Sequence, residues 1–157
     1  MFHKGDRIRV RDDFDWHSHA SYTQYMEGLQ GKVGVVKIVT EHSIHVNLNG
    51  TDNSANWNFQ PKDLEVLNWQ RGDKLIVRIG AIDDDCDHLY YGGMRHLEGT
   101  QVEFRDFTTY DDEQAVYVEE LDENGNYVDG WTLYLHDVIC DPPEIFNEEF
   151  SLETLLA

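Results

Sequence analysis

Cysteine, proline, positive charge and long apolar runs are all scarce in this chain of 157 residues. Its two cysteines, Cys86 and Cys140, form no CxxC pair of the zinc-binding kind, and they are expected to stay as thiols in a reducing cytoplasm. Cys140 closes the apolar run Val138-Ile139-Cys140 and is expected to be a small buried hydrophobe. No apolar run approaches the ~18 residues of a membrane span, and Met1-Phe2-His3-Lys4 leads straight into charged sequence where a secretory leader would turn apolar. Membrane and secretory routes are therefore not expected. Lys and Arg number 12 against 31 Asp and Glu, a net charge of -19. That balance argues against direct nucleic-acid binding, because such affinity comes from cations displacing counterions from phosphates. No Gly-rich loop follows a strand and opens a helix, so nucleotide binding has no support and no cofactor is expected.

What the chain does have is 40% apolar residues and 12% aromatics, enough for a core in one ordinary domain or two small ones. It also has a diverged internal repeat. Lys4-Gly5-Asp6-Arg7-Ile8-Arg9-Val10 returns as Arg71-Gly72-Asp73-Lys74-Leu75-Ile76-Val77, an offset of 67. Met26, Leu29 and Gly31 return as Met94, Leu97 and Gly99 at an offset of 68, and Trp57, Asp63 and Leu64 as Trp131, Asp137 and Val138 at 74. Order is kept while the offset grows, as longer hairpin loops in the second copy require. The organisation expected is one repeat over 1–69, a second over 70–140, and a tail over 141–157.

Each copy reads as short strands. Alternating apolar residues (Ile8, Val10; Leu75, Val77) follow a Gly-Asp turn, and a long polar loop with aromatics precedes the Met-x-x-Leu segment. Two hairpins come after it, the last in the second copy turning through Asp122-Glu123-Asn124-Gly125-Asn126. Five short strands in about 65 residues with little helix point to a small closed barrel. The fold class expected is all-β: two tandem SH3-like barrels with a short acidic tail. In the tail, Phe146 and Phe150 would share a face of a helix that either docks on the barrels or serves as a partner-binding peptide.

Gly5, Asp6, Met26, Leu29, Gly31, Gly34, Val36, Trp57, Phe59, Pro61 and Leu64 together make the first copy resemble the repeat of Mind bomb-type proteins, and more loosely other SH3-like barrels such as the KOW type. The second copy departs from the pattern: Gln101 and Val102 replace the Val-Gly pair, and Leu133 and Leu135 take the places of Phe59 and Pro61. In Mind bomb-type proteins a tandem of such barrels binds short peptide segments, so the resemblance implies a recognition module. The chain also resembles, in type only, the small acidic β proteins by which phages disable host nucleic-acid-handling proteins.

Two surfaces are candidates. The first is acidic. Residues 1–69 carry 7 basic and 9 acidic side chains, net -2, whereas residues 70–140 carry 5 and 17, net -12. Against the roughly 17 charges of duplex DNA over about 29 Å, the second copy is charged enough for nucleic-acid mimicry if its carboxylates gather on one face. They lie in three clusters: Asp83, Asp84, Asp85 and Asp87; Asp111, Asp112 and Glu113; Glu119, Glu120, Asp122 and Glu123. The second candidate is aromatic: Trp16, Tyr22, Tyr25, Tyr90 and Tyr91, in loops that could grip an extended peptide. Tyr25 and Tyr91 are alternatively core caps, and Trp57 and Trp131 are expected inside.

Catalytic constellations are thin. Asp12, Asp13, Asp15, His17 and His19 share one loop, and Asp83 to His88 another, but each reads first as a solvated acidic loop; no metal site is expected. The function expected is a non-catalytic acidic protein that engages a basic surface on a macromolecular partner, such as a nucleic-acid-binding protein inhibited by charge mimicry. The alternatives are a peptide-recognition adaptor using aromatic grooves and, third, a metal-dependent enzyme.

Overall fold

The computed structural model describes residues 1–51, 56–82, 89–90 and 92–140. Asp83, Asp84, Asp85, Cys86, Asp87, Tyr91 and the tail 141–157 lie outside the described residues. The protein is all-β, built from two five-stranded antiparallel sheets, with short 3-10 turns between strands of the same sheet. No helix among the described residues is long and apolar enough to cross a membrane.

The described residues fall into two compact units: Met1–Asn68 with Thr109–Ala115, and Trp69–Thr108 with residues 116–140. The first sheet contains β1 (Arg7–Val10), β2 (Val33–Val39), β3 (Ile44–Leu48), β4 (Trp57–Phe59) and β5 (Leu64–Val66) in the order β4-β3-β2-β1-β5. The second contains β6 (Lys74–Val77), β7 (Gln101–Tyr110), β8 (Glu113–Leu121), β9 (Tyr127–Tyr134) and β10 (Val138–Cys140) in the order β10-β6-β7-β8-β9.

One register serves both sheets. Ile8 pairs with Gly34 and Val66, while Leu75 pairs with Val102 and Cys140. These partners are separated by the same 67, 68 and 74 residues that the sequence repeat shows. The opening turn is likewise made twice. Gly5 and Gly72 take φ of 92° and 97°, where a side chain would be strained, and their N–H groups donate to the carbonyls of Val36 and Phe104. The following carboxylates, Asp6 and Asp73, accept the backbone N–H three residues upstream, from His3 and Gln70, at 2.8 Å each. A turn held from both sides sends β1 and β6 into the sheet at a fixed register.

The expectation of closed barrels is corrected. Among the described residues the ladder ends at β4 and β5 in the first sheet and at β9 and β10 in the second, with no pairing between the two end strands. In the first sheet the reason is length. β4 and β5 have three residues each and are joined by one 3-10 turn, Pro61–Asp63, which carries the chain across the open side without reversing it into a hairpin. Side chains seal that side instead: Phe59 and Leu64 share the core with Ile8, Val10 and Val46. Phe14, Tyr22 and Phe59 meet edge-on at centroid distances of 5.3 to 6.2 Å, each pair worth about 0.5–1.5 kcal/mol beyond area burial. In the second unit Leu133 and Leu135, both fully buried, occupy the places of Phe59 and Pro61. Cys140 is half-buried, less than expected, because it ends the three-residue edge strand β10.

Candidate functional site

The loop aromatics divide sharply. Tyr22 and Tyr90 are 6% and 4% exposed, which corrects the expectation that they line a ligand groove. Each ring enters the core so that its hydroxyl can bridge two groups. Tyr22 Oη donates to Asp63 Oδ2 at 2.6 Å and accepts from the Gln60 N–H at 2.8 Å. Tyr90 Oη donates to Asp137 Oδ2 at 2.6 Å and accepts from the Tyr134 N–H at 2.7 Å. Burial, reinforced by the hydrogen bond to the Asp63 carboxylate, pushes the Tyr22 hydroxyl far above the usual tyrosine range. These tyrosines clamp the 3-10 turn that spans the open side of each sheet.

Tyr25 goes the other way. It is 86% exposed and does not cap the core; Met26 beside it does, buried at 4%. Trp16 is half-buried against the core, its ring tilted 32° to that of His17 with centroids 3.8 Å apart. Trp57 and Trp131, expected inside, are half-buried.

The first loop is self-satisfied. Asp15 Oδ1 accepts both the backbone N–H and the ring Nδ1 of His17 at 2.9 and 2.8 Å, and these bonds hold its carboxyl below the usual range. Arg11 pairs with Asp13 at 3.2 Å and His19 with Ser21 at 2.7 Å. Among the described residues no three His, Cys, Asp or Glu side chains converge on a point that would suit a metal ion.

The two described acidic clusters flank β8, Asp111 to Glu113 at its start and Glu119 to Glu123 at its end. Asp111 and Asp112 form the two-residue turn before it, both with positive φ (50° and 65°), the conformation a tight hairpin demands. Glu113 accepts the Gly50 N–H through both carboxylate oxygens at 2.9 and 2.8 Å, and Gln114 and Asn49 exchange two hydrogen bonds beside it, all within the first unit. At the far end Glu119 accepts from Arg105 Nε at 2.7 Å. Glu120 accepts from Trp131 Nε1 at 3.0 Å and meets His96 Nε2 at 3.1 Å. Asp122 accepts the Asn124 and Asn126 N–H groups across the hairpin turn at 2.9 Å each, bonds that lower its carboxyl pKa. Asp111, Asp112 and Glu123 are exposed and make no such bonds among the described residues. Four of the seven described carboxylates, Glu113, Glu119, Glu120 and Asp122, thus serve as acceptors within their own units.

Three of the second unit's five cations are also committed. Arg71 pairs with Asp106 at 3.1 Å, Lys74 with Glu103 at 2.8 Å, and Arg105 with both Glu103 and Glu119. A polar cleft of about 210 Å³ lies against this network, lined by Lys74, Gln101, Val102, Glu103, Leu121, Asp122, Glu123 and Gly125.

Sequence reasoning passed over the exposed aromatics of the β8–β9 hairpin, Tyr117 and Tyr127, 37% and 60% exposed. The signal was in the alternation: with Val116 and Val118 inward, Tyr117 between them has to face out. No protein-family model matches this chain, and no curated protein matches it in sequence.

Proposed function

We propose that this chain is a non-catalytic binding protein whose second repeat engages a basic surface of a macromolecular partner. One observation carries the reading. Of the five basic side chains among 17 acidic ones in residues 70–140, Arg71, Lys74 and Arg105 are tied into ion pairs of their own unit, whereas Asp111, Asp112, Glu123 and Asp129 are exposed and hold no ion pair among the described residues. A field of one sign speeds encounter with an oppositely charged partner and rejects like-charged ones. The shared register and the shared tyrosine clamp support an origin of both sheets in one SH3-like repeat, of the kind the Mind bomb resemblance implies.

The test is capture on the immobilised full chain at about 50 mM salt followed by elution at about 200 mM, where screening shortens the reach of exposed charges. Retained proteins should be basic and should elute with salt. A partner that is acidic, or that stays bound regardless of salt, sinks the proposal.

A further inference from the structure

The β8–β9 hairpin carries an exposed patch that the internal bonding leaves unused. Tyr117 and Tyr127 are 37% and 60% exposed, two large rings on neighbouring strands. Tyr117 is seated by a glycine: a Cβ at Gly130 would stand 1.9 Å from its Oη and 2.7 Å from its Cζ. Partial desolvation first, and then the charges of Tyr117, Asp129 and Glu119, hold the Tyr127 hydroxyl above its ordinary value. Glu119 is satisfied by Arg105. Asp129 uses one oxygen to accept the Gly130 N–H at 2.8 Å, and neither it nor Glu123 has an ion pair among the described residues.

We infer that this patch binds an arginine-bearing segment of a basic protein partner, with the guanidinium against Tyr117 and Tyr127 and paired with Asp129. The inference rests on the proposed function and gives it a location. Aromatic faces attract cations, and a carboxylate alongside selects a group that is flat and charged at once. A second copy of this chain is a poor occupant, since each brings a net charge of -19. An acidic or phosphorylated ligand meets the same repulsion.

The experiment is a titration of the ¹⁵N-labelled full chain with an acetylated hexa-arginine peptide, beside hexa-lysine and hexa-serine peptides, at about 50 mM salt. Amide shifts should centre on residues 117–119 and 127–130, with arginine binding tighter than lysine and serine not at all. Tyr127→Leu, which keeps an apolar side chain, should weaken binding about three- to fivefold. Gly130→Ala should do the same by pushing the Tyr117 ring off its seat, at little cost in folding because only the end of a flexible side chain must move. Shifts centred on Asp111 and Asp112, or spread evenly over the surface, overturn the patch and leave the wider reading intact. Unchanged affinity in both variants also overturns the patch. Failure of the unaltered chain to bind hexa-arginine at all overturns the wider reading with it.

Discussion

In the first unit β2, β3 and β4 run for 7, 5 and 3 residues, whereas the matching strands of the second, β7, β8 and β9, run for 10, 9 and 8. Yet Ile8 and Leu75 meet their partners at matching places, and Tyr22 and Tyr90 make the same two hydrogen bonds. Positions that must fill a core or satisfy a buried polar group have little freedom, since each lost contact there costs kilocalories. Hairpin ends and solvent-facing positions have much more, and there the second unit has gained its length, its exposed tyrosines and its negative charge. Function that differs between the copies is therefore to be sought on the hairpins.

The sharpest internal difference is Gly34 against Val102. A Cβ at Gly34 would stand 2.0 Å from the carbonyl oxygen of Asn47, whereas the second unit holds a valine, 1% exposed, at the matching position. Gly34→Ala must part β2 from β3, since backbone cannot swing aside as a side chain does, and should cost about 3 kcal/mol or more. Val102→Ala leaves only a cavity, at about 2 kcal/mol. Equilibrium urea unfolding reads both. An unchanged midpoint in Gly34→Ala would show that the strands are not as close as described.

Next in size is the clamp, where the units should behave alike. Tyr22→Phe leaves the buried Asp63 carboxylate and the Gln60 N–H short of one partner each, and Tyr90→Phe does the same to Asp137 and Tyr134. Each should cost about 2 kcal/mol, the range for hydrogen bonds to charged groups. Asp63, whose side chain is 8% exposed against 14% for Asp137, should make the first variant slightly the worse. A neutral result in either unit breaks the equivalence.

Much of this was legible beforehand. The offsets of 67, 68 and 74 foretell the register, because a strand's period of two lets no residue slip without moving the whole apolar set to the other face. The clamp was within reach too: Tyr22 and Tyr90 obey the offset of 68, and Asp63 and Asp137 that of 74. What hid it is that the partners lie 41 and 47 residues apart in the chain, so an aromatic in a polar loop looked like a ligand contact. Barrel closure was overestimated because apolar alternation reports which residues go inward and says nothing about whether three-residue strands reach one another. The acidic clusters misled for a third reason. Glu113, Glu119, Glu120 and Asp122 are ordinary acidic residues in sequence, and only the fold supplies Gly50, Arg105, His96 and the hairpin amides that occupy them.

The smallest expected effect separates the units by pH. His96 meets Glu120 in the second unit only, the matching residue in the first being Gly28. The hydrogen bond to Glu120 raises the His96 pKa above 6.5, so protonated imidazole favours the folded form. That contribution is complete below pH 6.5 and fades as the pH rises through the higher folded value. For Glu120, burial pulls upward, but the hydrogen bonds from His96 and Trp131 outweigh it and leave the pKa below 4.5. Its share is present above that value and fades as the pH falls through the lower folded one. The pair is thus strongest between pH 4.5 and 6.5. With the His96 side chain 50% exposed, solvent should hold the effect to about 0.5 kcal/mol or less. Melting curves at about pH 5.5 and about pH 8 should show the gain in the unaltered chain and its loss in His96→Gln. A His96→Gln chain that keeps the same pH dependence would assign the effect to other groups and remove this distinction between the two sheets.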